Sequence, residues 1–150
     1  MSREIAGVHV WLVLRKAAQA VEDNARASIA GLDLGLSEFA VLETLLHTGP
    51  QPVSVLGRRV LLTSGSITSA LDRLQARKLV RRVRDPEDSR SRIVHLTAAG
   101  RSLIECAFAR HAKDMEEVVS TLGHTERKQI IRLLKKLGIP AAERVRGFSA

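Results

Sequence analysis

At 150 residues the chain is long enough for one domain with a substantial core. Lys and Arg outnumber Asp and Glu by 24 to 16, a net charge of +8, which points to a polyanionic partner. Cys106 is the only cysteine, which excludes an intrachain disulfide and fits a reducing, cytoplasmic compartment, and the apolar stretch Val8–Leu14 is too short to cross a bilayer.

Apolar residues at helical spacing (Ile5, Val8, Leu12, Val21, Ile29) predict a long first helix over residues 4–30. Gly31 and Gly35 mark a linker, and Ser37 is positioned to cap a second helix carrying Phe39, Leu42, Leu45 and Leu46. Pro50 and Pro52 close it. A short third helix is expected over 54–61 and a fourth over 65–77, with Ile67, Ala70, Leu71 and Leu74 facing inward.

The period then changes. Residues 80–84 and 92–96 are short and rich in β-branched side chains, and Asp85-Pro86-Glu87-Asp88 lies between them, which predicts a β-hairpin. Thr97 can cap a fifth helix over 98–121, and Thr125 a sixth that Gly138-Ile139-Pro140 should stop, leaving residues 141–150 as a loose tail. The expected fold is mainly α with a small β-hairpin wing. Residues 37–100 would form a winged helix-turn-helix lobe, and residues 1–31 and 101–138 would be flanking helices. These carry more apolar surface than so small a lobe can cover, which points to a two-fold dimer.

Charge is concentrated between Arg58 and Arg101, with eleven Arg or Lys against four Asp or Glu. Just after Ser64 in the turn, the fourth helix places Gly65 and Ser69 on its outer face with Ser66 and Thr68 flanking them, where small side chains permit close approach to base edges in a major groove. Arg73 is its one long mid-helix donor, able to reach a guanine or a phosphate. Arg84, Arg90 and Arg92 project from the hairpin in a way that suits a narrow, electronegative minor groove, with Asp88 placed to pair with Arg90. A capped helix on a solvated face, or a charged solvated loop, would account for either feature alone. The two in tandem favour DNA.

The run from Pro52 to Arg101 resembles the winged helix-turn-helix of the MarR family of bacterial transcriptional regulators. The resemblance is carried by Thr63-Ser64-Gly65-Ser66-Ile67-Thr68, Leu71-Asp72-Arg73-Leu74 and Leu79-Val80-Arg81-Arg82. It is strongest at Asp85-Pro86-Glu87-Asp88-Ser89-Arg90 and Val94-His95-Leu96-Thr97-Ala98-Ala99-Gly100-Arg101. It implies a homodimer on a palindromic operator, usually as a repressor, released in many members by a small aromatic or phenolic effector. It also implies Arg90 as the minor-groove arginine and Asp88 as the acid that orients it. Ser89 departs from an arginine common at the wing tip, Lys78 from a glycine usual before the wing, and Leu61 from a common turn glycine.

The residues bear on other functions as well. His9, His47, His95, His111 and His124 lack the spacing of a helical zinc motif, and no phosphate-binding glycine loop is present, so neither an enzyme nor a cofactor is indicated. His9, Trp11, Arg15, Phe39, His47 and Phe108 either line an effector cleft or are core. Cys106 is either a redox thiol or a small buried hydrophobe. A non-specific architectural DNA-binding dimer is the non-enzyme alternative to a regulator.

Overall fold

In a computed structural model, residues 5–148 are described. They form α1 (Gly7–Ser28), α2 (Leu36–Thr48), β1 (Gln51–Pro52), α3 (Val53–Arg59), α4 (Ser64–Ala76), β2 (Val80–Arg84), β3 (Arg92–Leu96), α5 (Ala98–Val118) and α6 (His124–Phe148). The chain divides into two compact units at Met115 and Glu116.

In the first unit the core is built by the inward stripes of α2, α3 and α4 with the wing and α5. Leu42, Leu45, Leu56, Leu71, Leu74, Val94 and Ile104 are fully buried. Burying a leucine of this kind contributes about 2 kcal/mol before its ordering cost. The sheet order is β1-β3-β2, antiparallel throughout, with Arg82 opposite Val94 and Val80 opposite Leu96. The hairpin strands lie where the β-branched pattern predicts them. The two-residue β1, pairing Gln51 with Val94, is too short to carry a period of its own.

Helix ends follow local chemistry. Ser37, expected as a cap, lies inside the first turn of α2, whose N-cap is Gly35. The buried Glu38 carboxylate takes over that end, bonded by the backbone of Gly35 and of Glu38 itself. At α4 the cap is Thr63, whose side chain accepts from the Ser66 N–H at 3.2 Å. Thr97 caps α5: its hydroxyl accepts from the Gly100 N–H (3.0 Å) and donates to the carbonyl oxygens of Lys78 (2.7 Å) and Leu79 (3.1 Å). The exit from the wing is thereby tied to its entrance.

Leu61 and Lys78 stand where glycine was the expected residue, and both keep the left-handed backbone, each at φ 57. Leu61 is also 91% exposed, so its side chain has almost no packing to lose. A left-handed non-glycine residue costs about 1–2 kcal/mol, and glycine's extra unfolded-state freedom returns about 0.5–1. Leu61→Gly should therefore raise stability by about 0.5–1 kcal/mol, measured by urea unfolding. A loss of stability would show that the leucine packs against something.

A polar contact joins α1 to α5. The Ser28 hydroxyl donates to the Ala25 carbonyl (2.7 Å), which leaves it to accept from His111 Nδ1 at 2.6 Å. The His111 ring also packs on Phe39, with centroids 4.8 Å apart.

In the second unit Arg127 holds the turn into α6, pairing with Glu116 and donating to the Leu122 carbonyl (3.0 Å). Glu126, rather than Thr125, caps this end by accepting from the Gly123 N–H at 2.8 Å. The expected stop at Gly138-Ile139-Pro140 is overturned, because α6 runs through Pro140 to Phe148. Proline removes one i→i−4 hydrogen bond, and the strong helix formers Ala141, Ala142, Glu143 and Arg144 carry the helix on. The last two residues of the expected tail, and residue 4 of the expected first helix, lie outside the described residues.

Both terminal helices present bare apolar faces. Val8, Trp11 and Val13 of α1 are more than half exposed, as are Ile131, Leu133 and Ile139 of α6. No helix among the described residues is long and apolar enough to cross a membrane.

Candidate nucleic-acid interface

Helices α3 and α4 meet through a tight turn at Leu61–Thr63, and the hairpin projects beside them. Between them lies a groove of about 650 Å³, lined by Ser54 and Arg58 of α3, Ser64 and Thr68 of α4, and Arg82, Asp88, Arg90 and Arg92 of the wing. Sequence reasoning counted Arg58 in the basic footprint but did not single it out as a site residue. Its spacing of four from Ser54 places both on one face of α3.

On α4, the fully buried Ala70, Leu71 and Leu74, with Ile67, form the inner stripe. Ser64, Gly65, Ser66, Thr68 and Ser69 are all exposed. The Thr68 hydroxyl donates back to the Ser64 carbonyl at 2.8 Å, which leaves its lone pairs outward. The Ser66 hydroxyl accepts from Thr63 at 2.9 Å. The Ser64 and Ser69 hydroxyls have no hydrogen-bond partner among the described residues.

Arg73 has a partner within the lobe. Its Nε donates to the carboxylate of Glu38, a residue only 7% exposed. Burial pushes the Glu38 carboxyl pKa up. The hydrogen bond from Arg73, the backbone bonds at Glu38 and Gly35, and the Arg73 charge together outweigh that and hold it below the ordinary value. A depressed carboxyl pKa means that the pair's contribution is present above the unfolded-state value and is lost only as pH falls through the lowered one. The pair therefore stands at neutral pH.

The wing is ordered by its own short polar side chains. Asp85 Oδ1 accepts from the Glu87 N–H (2.9 Å), and Asp88 Oδ1 accepts from the Arg90 N–H (3.0 Å). The Asp85 N–H then closes on the Ser91 carbonyl at 3.1 Å. Asp88 thus braces the Arg90 backbone, not the guanidinium as expected, because an aspartate side chain reaches the N–H two residues on with no strain. Arg92 turns onto the tip, its Nη1 donating to the carbonyl oxygens of Ser89 (3.2 Å) and Ser91 (3.1 Å). Arg82 crosses to the helix, bonding Asp72 at 2.6 Å and Gln75 at 3.0 Å.

The arginines therefore fall into two sets. Those of Arg73, Arg77, Arg82 and Arg92 are engaged within the lobe. Among the described residues, the guanidinium groups of Arg58, Arg59, Arg81, Arg84 and Arg90 have no protein acceptor, and all five residues are exposed. Unpaired, solvated cations on a projecting edge are the groups that exchange counterions for phosphate at least cost.

The six residues suggested for an effector cleft do not converge within the single chain. Arg15 lies 6.0 Å over the Trp11 ring on the exposed side of α1, and His9 is exposed nearby. Phe39 is core, at 2% exposure, while His47 meets Phe108 edge-on with centroids 4.6 Å apart. A separate small cavity, about 260 Å³, lies among Ser28, Leu32, Leu103, Cys106, Ala107 and Arg110. Cys106 itself is exposed, against the reading of it as a small buried hydrophobe, because it falls on the outer side of α5. No group of three or more His, Cys, Asp or Glu among the described residues is placed to hold a metal.

Comparison with known proteins places this geometry. The sequence model of the MarR family matches residues 32–91. The HTH-type transcriptional regulator MhqR of Bacillus subtilis is 34% identical over 134 residues, covering 89% of this chain and 92% of the relative. Among solved structures, BpsR of Bordetella bronchiseptica, whose DNA binding is regulated by 6-hydroxynicotinic acid, is 28% identical with a TM-score of 0.78, covering 85% of this chain and 97% of that one. A mutant MarR of E. coli in complex with operator DNA shares the fold, with a TM-score of 0.79 at 24% identity over 86% of this chain and 93% of that one. A helix-turn-helix, a braced arginine-bearing wing and a full-length relative together settle the assignment: the chain belongs to the MarR family of transcriptional regulators.

Proposed function

We propose that the protein is a homodimeric repressor that binds a palindromic operator and is released by a small aromatic or phenolic effector. The observation that carries the DNA-binding part is the sorting of the arginines. The free cations sit on α3 and the wing, around a recognition helix whose outer face is small and polar. Ser64, Gly65, Ser66, Thr68 and Ser69 would enter the major groove, and Arg84 and Arg90 would follow the minor groove and its phosphates. Arg92 would add charge from the tip while holding its shape.

A second copy of the chain is the natural cover for the apolar faces of α1 and α6, and a two-fold pair of recognition helices demands a two-fold operator. The effector part rests on BpsR, a relative by fold and sequence that responds to an aromatic acid. Within this reading His9, Trp11, Arg15, Phe39, His47 and Phe108 are the residues from which a cleft would be assembled once the dimer forms.

Footprinting on the DNA flanking the protein's own gene tests the reading. The expected result is a protected inverted repeat with half-sites about one helical turn apart. Protection should fade on addition of an aromatic carboxylic acid or a phenol. Uniform protection at all sequences would instead favour an architectural dimer.

A further inference from the structure

Helix α4 is gripped on both flanks. On one, Arg82 of the wing bonds Asp72 and Gln75. On the other, Arg73 bonds Glu38, and one turn later Arg77 donates to the carbonyl oxygens of Leu32 (3.2 Å) and Asp33 in the α1–α2 linker. The three long polar side chains of the helix, Asp72, Arg73 and Gln75, and that of its C-cap Arg77 are thereby engaged. The outer face keeps glycine, alanine and hydroxyl side chains with the paired Asp72, and the cation beside it, Arg73, is tied to Glu38 through Nε while its side chain stays 58% exposed.

We propose that Glu38 is a positioning residue that withholds Arg73 from DNA, so that the recognition helix reads the duplex through hydroxyls and close backbone approach and makes no cationic contact of its own. The inference rests on the operator-binding reading above. At a spacing of 100° per residue, Arg73 lies between the buried stripe and the outer face, where a freed guanidinium would reach the phosphates bordering the groove. Glu38 is buried, and its charge needs Arg73 as its partner. A phosphate that drew the guanidinium toward the groove would have to break its Nε bond to a desolvated carboxylate, whereas Arg58, Arg84 and Arg90 are free at no such cost. The lowered carboxyl pKa keeps the pair closed at neutral pH.

The test is the salt dependence of duplex binding by the full-length protein. Glu38→Gln preserves size and hydrogen-bonding capacity and removes the charge that holds Arg73. It should steepen the slope of log affinity against log salt by about two units per dimer, one new phosphate contact for each protomer. The double variant Glu38→Gln/Arg73→Gln should return to the wild-type slope. Arg73→Gln alone, which still offers Glu38 a donor, should leave the slope unchanged, and it decides the matter if Glu38→Gln does not fold. An unchanged slope in a folded Glu38→Gln, or a flattening by about two units in Arg73→Gln, overturns the proposal. Failure of the wild type to bind duplex DNA would overturn the operator-binding reading itself, a separate result.

Discussion

Gly100→Ala should unfold or severely destabilise the DNA-binding lobe. A Cβ at this position would lie 1.9 Å from the Leu79 carbonyl oxygen and 2.9 Å from its carbon. Both are backbone atoms, so no side chain can turn aside. The Leu79 oxygen also accepts from the Thr97 N–H (3.1 Å) and from the Thr97 hydroxyl (3.1 Å). Moving it would pull apart the knot that joins the start of β2 to the end of β3 and caps α5. Overpacking usually costs about 1–3 kcal/mol, and a backbone clash of this depth belongs at or beyond the upper end. Against a total of about 5–15 kcal/mol that is a large fraction. A fall in the melting temperature of about 10 °C or more is expected for a chain of this size. A fall below about 2 °C would mean that α5 does not leave the wing as described. Because the same knot fixes the wing on the lobe, DNA binding should decline with stability.

Arg90→Ala should do the opposite, leaving the fold intact and removing binding. The Arg90 guanidinium has no protein acceptor among the described residues, so its loss unpairs nothing. The tip keeps its shape, because Asp88 holds the backbone N–H at position 90 and not the side chain. A groove-reading arginine contributes about 1–3 kcal/mol per half-site. For a dimer with two wings, affinity for the operator should therefore drop about a hundredfold or more. The melting temperature should stay within about 1–2 °C of the wild type, as for an ordinary surface substitution. Unchanged affinity would remove Arg90 from the interface. Arg84→Ala, a phosphate contact in this account, should instead weaken binding at all sequences alike and flatten the salt slope.

These two residues also mark what sequence could and could not tell. The wing was legible because its signal is local: β-branched alternation on either side of Asp85-Pro86-Glu87-Asp88, whose short acids bond the backbone two residues on. Leu61 and Lys78 were legible as departures because glycine was the expected residue, and the backbone there is indeed left-handed. The crowding at Gly100 was not, since it depends on a carbonyl 21 residues upstream. The partner of Arg73 was hidden for the same reason, because Glu38 is 35 residues away and buried. Pro140 misled because a proline's cost is local, while the residues after it favour helix. The proposed effector cleft was least legible. Its candidates separate within one chain, and a cleft completed by a second copy leaves no mark in one sequence.

Recognition of one duplex sequence above others is what makes this lobe a regulator's. It is tested most directly by titrating the protein against its own upstream inverted repeat and against a scrambled duplex of equal length, at two salt concentrations. A preference of about a thousandfold or more for the repeat is expected, with affinity falling steeply as salt rises. Equal affinity for both duplexes at either salt would contradict it.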